Sequence, residues 1–103
     1  MTRRERIRQG MYHVLNKQLE IAGVGRTFEE FTTEGSPYFD AEYFCNHEID
    51  FEQHQQWLDY AVPYVKKLLR CNLKFAMKEV QMLDLCYGLK FKNQDRDKFF
   101  SKN

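Results

Sequence analysis

Three side chains able to ligate a transition metal stand close together in the middle of this sequence: Cys45, His47 and His54. Zinc takes four tetrahedral nitrogen or sulfur donors, and structural sites usually draw them from two closely spaced pairs. Cys45 and His47 are separated by a single residue, and Cys71 or Cys86 would have to complete the set without a close partner of its own. The spacing does not match a zinc site, so the expectation is no metal and no cofactor, with a zinc-containing protein as one alternative. His47-Glu48 lacks the Pro-Cys-x-x-Cys half of the zinc deaminase signature, and no second His follows at the four-residue step of a zincin helix.

Other chemistries fare no better. Asp40, Glu42, Glu48, Asp50 and Glu52 are dense enough to interest a calcium ion. An EF-hand register from Asn46, however, puts Phe51 at the glycine position and Trp57 where the bidentate Glu belongs. A solvated acidic face is the better reading. Gly23-Val24-Gly25 lacks the glycine and lysine of a phosphate loop and reads as a turn between helices. A Cys–His nucleophile would be assembled in space rather than in sequence, and no local signature marks one. The chain reads as non-enzymatic.

The charges carry more information. Residues 1–26 hold six Lys/Arg against two acids; residues 27–65 hold nine Asp/Glu and no Lys or Arg; residues 66–103 hold ten Lys/Arg against four acids. The formal total is only +1. Fields of this kind govern partner choice and association rate rather than fold. The acidic block predicts a surface that engages a basic patch on another protein, with Glu29, Glu30, Glu34, Asp40, Glu42 and Glu48 as its contact residues. The basic ends give the alternative of nucleic-acid binding. Arg3, Arg4, Arg6 and Arg8 crowd the first helical segment, while Lys67, Arg70, Lys74 and Lys78 recur at three- and four-residue steps that share one helix face. A pI near 7.7 argues against a dedicated nucleic-acid binder, whose domain pI usually exceeds about 9.

Those residues need elements to hold them, and the local signals are helical. Thr2-Arg3-Arg4-Glu5 has the capping-box form. Ile7, Met11, Val14, Leu15, Leu19 and Ala22 follow at helical spacing until Gly23 and Gly25 end the run. Gly10 inside that helix implies a close packing contact or a local bend. Thr27-Phe28-Glu29-Glu30 opens a short segment closed by Gly35, and Ser36-Pro37 predicts a third helix from Pro37 to about His47. Asp50 with Gln53 starts the longest apolar stripe, Phe51, His54, Leu58, Ala61, Val65, Leu68 and Asn72, with a kink or break expected near residues 59–62 because of Pro63. Trp57, Tyr60 and Tyr64 form a second stripe on the same helix, read as buried rather than as a partner surface. Length favours a helix over residues 73–87, and residues 89–92 alternate like a short extended segment.

The expected fold is a single all-α domain spanning residues 1–103. It is a compact bundle of four or five helices with a long kinked central helix over about 51–71. Residues 93–103 form a polar tail or short terminal helix. Aromatics at 16% are enough to close a small core, and 103 residues suffice without disulfides. Three widely spaced cysteines read as reduced thiols, no run approaches the ~18 apolar residues of a spanning helix, and no secretory apolar segment opens the chain. A cytoplasmic location and no membrane partner follow as expectations. The long stripe is compatible with a homodimer as well as with a monomeric core. The leading functional expectation is a small regulator or inhibitor, of the accessory kind that viruses and mobile elements encode.

Overall fold

The computed structural model describes residues 1–92, apart from the side chains of Phe44 and Cys45. The described chain is mostly helical: α1 (Arg3–Ile21), α2 (Phe28–Thr32), α3 (Tyr43–Asn46), α4 (Phe51–Leu69) and α5 (Leu73–Tyr87), with two-residue strands β1 (Glu48–Ile49) and β2 (Lys90–Phe91). The strands pair in parallel, Glu48 with Lys90 and Ile49 with Phe91. The expected all-α bundle is therefore what forms, and the extended segment near 89–92 is β2. The expectation for residues 93–103 lies outside the described residues.

Each helix start has a chemical cause. Thr2 Oγ1 accepts from the Glu5 amide at 3.1 Å. Thr27 with Glu30 and Asp50 with Gln53 make complete capping boxes, and Asn72 caps α5 by accepting from the Phe75 amide at 2.8 Å. Such caps satisfy first-turn amides that have no partner inside the helix. α1 ends where Gly23 takes φ +80°, and α4 ends on Arg70 in the left-handed region at φ 54°, a conformation that costs a non-glycine residue about 1 kcal/mol.

Two expectations require correction. The helix predicted from Pro37 shrinks to the four residues of α3. The Asp40 amide instead donates back to the Phe31 carbonyl at 3.0 Å, and the Asp40 carboxylate takes the Glu42 amide at 2.9 Å. This local competition for the backbone holds residues 33–42 in turns. Of the kink or break expected near Pro63, the break does not occur: α4 runs unbroken over Phe51–Leu69. Pro63 and Asp59, whose carbonyl loses its helical donor, both face solvent, so water can take the missing bond.

Two apolar clusters build the core. Val14, Trp57, Ala61, Val65, Ala76 and Val80 join α1, α4 and α5. Leu15, Leu19, Phe28, Phe31, Tyr43, Ile49 and Leu89 seat α2, α3 and both strands against α1. The half-buried Leu83 touches both. Trp57 is fully buried and donates its indole N–H to the Val14 carbonyl at 2.8 Å, so the aromatic stripe on α4 packs inward against α1. Tyr60 and Tyr64 stack on each other and meet the His13 ring.

Gly10 marks a close approach of α1 to Leu68 of α4: a Cβ there would collide with that side chain, at 2.7 Å from Cδ1 and nearer to Cδ2. Gly10→Val should therefore destabilise the fold by about 1–3 kcal/mol, read as a lower chemical-denaturation midpoint at unchanged slope.

Candidate functional site

The pairings between helices decide where the charges go. On α1 and α4, Gly10 lies at Leu68, Val14 at Trp57, and the Ile21 carbonyl at the Gln53 amide group (3.2 Å). The two helices are thus antiparallel. α5 is antiparallel to α4 as well, since Cys71 sits in the short turn between them and Asp84 returns to His54. The amino-terminal ends of α1 and α5 and the carboxyl end of α4 consequently lie at one end of the molecule. That end carries Arg3, Arg4, Arg6, Arg8, Lys66, Lys67, Arg70, Lys74 and Lys78 against Glu5 and Glu79. The acidic middle block, from α2 to the start of α4, occupies the other end.

Among the described residues the two blocks lie toward opposite ends of the helices, so charge is separated along them. Lys17 makes a local ion pair with Glu20 at 3.5 Å. The predicted basic stripe does not form as one helix face, because the turn at residues 70–72 puts Lys67 on α4 and Lys74 and Lys78 on α5. Folding replaces it with a cluster assembled from three helices.

At the acidic end the six predicted contact residues divide by use. Glu30 is committed to the capping box of α2, Asp40 accepts the Glu42 amide within a turn, and Glu29 accepts from the Asn16 amide at 3.0 Å. Glu34, Glu42 and Glu48 are exposed. Between them Tyr38 and Phe39 are each 45% exposed, and the Arg26 guanidinium lies 3.8 Å from the Tyr38 ring centre. An open cleft of about 670 Å³ runs beside this region, lined by Gly23, Arg26, Phe31, His47, Glu48 and Lys92 among others. Arg26, Lys90 and Lys92 therefore bring positive charge to an end that the linear sequence presents as free of it.

Among the described residues, the metal candidates His47 and His54 lie in different surroundings. His47 lines the cleft with its ring against Phe31 (centroids 5.4 Å apart). His54 is buried and its Nε2 lies 2.8 Å from Asp84 Oδ2, its ring edge-on to Phe91. The Cys45 side chain lies outside the described residues. Among those described, no three of His, Cys, Asp and Glu are grouped as a metal ion would need.

His54 belongs instead to a polar knot that sequence reasoning missed. Gln18, 1% exposed, donates from Nε2 to Asp84 Oδ1 at 3.0 Å and accepts the Leu89 amide on Oε1 at 2.7 Å. Asp84 thus joins α1 to α4 with one oxygen each, and Gln18 carries the link on to β2. A signal was available: Gln18, His54 and Asp84 each occupy an apolar-stripe position on a different helix. Nearby, Tyr43 donates its hydroxyl to the Tyr87 carbonyl at 3.1 Å, and burial raises its phenol well above the usual range.

Removing the amide from this knot orphans two buried groups at once, each worth about 1–3 kcal/mol. Gln18→Leu should lower stability by several kcal/mol despite adding apolar volume, and hydrogen exchange at the Leu89 amide should accelerate more than exchange in α4. A variant as stable as the parent would show the knot to be incidental.

No family model matches the chain, and neither does any curated protein or solved structure.

Proposed function

We propose that this chain is a small non-catalytic binding protein, a regulator or inhibitor, whose acidic end occupies a basic surface of a partner protein. The observation that carries this reading is the exposed Tyr38–Phe39 pair set among Glu34, Asp40 and Glu42 on the turns of residues 33–42. Aromatic side chains held on short turns give contact area at low entropic cost, and the carboxylates around them select a cationic partner and speed its approach. Glu34, Glu42 and Glu48 carry the electrostatic part, because Glu30 and Asp40 already serve the backbone.

Affinity capture from native host cells at rising salt, with the parent and two variants side by side, tests this. A Glu34→Gln, Glu42→Gln, Glu48→Gln triple variant should lose retention at lower salt than the parent. Phe39→Ala should weaken capture at every salt by about tenfold or more. A partner held equally by all three proteins would refute the assignment.

A second reading rests on the basic end. Lys and Arg residues far apart in sequence converge there from three helices, and the amino termini of α1 and α5 add the positive ends of their dipoles. This convergence of positive charge supports reading that end as a site for a nucleic-acid backbone. Fluorescence anisotropy with a labelled DNA duplex should show binding that falls by orders of magnitude between about 50 and about 200 mM salt if six or more phosphates are contacted. Arg6→Gln with Lys74→Gln should flatten that dependence. Absence of a complex at the lower salt removes this reading.

A further inference from the structure

A side chain at position 88 would have nowhere to go. The backbone of Gly88, at φ −77° and ψ 163°, suits any residue. Yet a Cβ there would fall 2.6 Å from the Asp84 carbonyl oxygen and nearer still to Asp84 Oδ1, the oxygen that accepts from Gln18. Close approach is therefore what requires glycine. It lets the chain leave α5 directly against the aspartate, with the Gly88 amide donating to the Asp84 carbonyl at 2.8 Å and the Leu89 amide reaching Gln18 Oε1 at 2.7 Å.

The segment that follows is set shallowly in the fold. Leu89 is buried, but Lys90 is exposed and Phe91 and Lys92 are only half-buried. β2 gives β1 a ladder of two residues, and the Lys92 amide adds a bond to the Ile49 carbonyl at 3.1 Å. A two-stranded pairing is marginal in water by itself, and ordering the backbone of residues 88–92 opposes it. The helical layer beneath is closed by a separate cluster around Trp57.

We propose that residues 88–92 are a latch, which opens and closes as one unit while α1, α4 and α5 stay folded, with the Gln18–Asp84 pair as its catch. Closed, it buries Leu89 with Ile49, sets Phe91 edge-on to His54 and makes Lys92 part of the cleft wall beside Phe31 and His47. Open, it bares Ile49, frees the Gln18 amide group and removes that wall. The latch is thus a gate on the cleft. It needs no partner on the turns of residues 33–42, so it stands independently of the partner reading above.

Hydrogen exchange of the full chain, followed residue by residue, tests this. The Leu89 and Lys92 amides should exchange through one shared opening, at least about tenfold faster than amides in the middle of α4. Their rates should depend little on low urea, because the opening exposes little surface. Gly88→Ala should accelerate both amides by about tenfold or more, since the collision exists only in the closed state. α4 should stay protected, its exchange accelerating by no more than theirs, and the emission of Trp57 should remain that of a buried indole. Glu48 and Lys90 are partners in the ladder, at a strand spacing of about 4.8 Å that a disulfide can bridge. In a background with Cys45, Cys71 and Cys86 replaced by Ser, oxidised Glu48→Cys, Lys90→Cys should slow exchange at Leu89 and Lys92 toward that of α4, and reduction should restore it. A parent chain in which these two amides exchange no faster than α4 overturns the proposal. So does a Gly88→Ala chain in which neither amide accelerates or in which α4 and Trp57 unfold with them, and so does a closed disulfide that leaves their exchange unaltered.

Discussion

Asp84 is the group on which the rest of the arrangement depends. A carboxylate drawn mostly out of water is costly unless its oxygens are matched, and here each has its own partner: Gln18 from α1 on one, His54 from α4 on the other. The three long helices can meet at this end only in the register that brings those side chains together. A slide of one helix by a single turn, about 5.4 Å, would leave a buried amide or carboxylate unpaired. Apolar packing tolerates small shifts; this knot does not. Among the described residues no buried side-chain polar atom lacks a partner.

The same knot ties the helical layer to its cap. Gln18 Oε1 holds the Leu89 amide, which starts the extended segment pairing with β1. Ile49 and Leu89 are thereby buried beside Phe28, Phe31 and Tyr43. The acidic turns of residues 33–42 are anchored from this cluster, through Phe31 and its carbonyl bond to the Asp40 amide. Presentation of Tyr38 and Phe39 to solvent thus traces back, by contacts, to a glutamine and an aspartate in the interior. The charge separation follows from the same register, since antiparallel packing of α4 between α1 and α5 sends the basic termini one way and the acidic block the other.

Much of this was legible before folding was considered. Caps at Thr2, Thr27 and Asp50 fix helix starts because their side chains bond amides three residues away, a purely local event, whereas Asn72, read as the end of the long apolar stripe, instead caps α5. The inward packing of Trp57 and the tight approach at Gly10 could be anticipated, since both are properties of a single helix seen from its own surface. Less legible were the turns after Pro37, where a bond to Phe31 outcompeted helix propensity, and the passage of α4 through Pro63, which depends on which way that residue faces. The metal candidates illustrate the limit. His54 lies near Cys45 and His47 in the chain, yet its partner is thirty residues further on.

By itself the sequence determined the helical class, the starts of α1, α2 and α4 and the existence of separated charge blocks, because each is written in short-range spacing and in counts. Only the tertiary structure decided that, among the described residues, the blocks lie toward opposite ends of the helices, and that Gln18, His54 and Asp84 are one interior unit. Those outcomes turn on relative helix direction and on pairings such as Gln18 with Asp84, sixty-six residues apart. The free energy that selects them comes from burying particular polar groups together, a quantity no local pattern encodes.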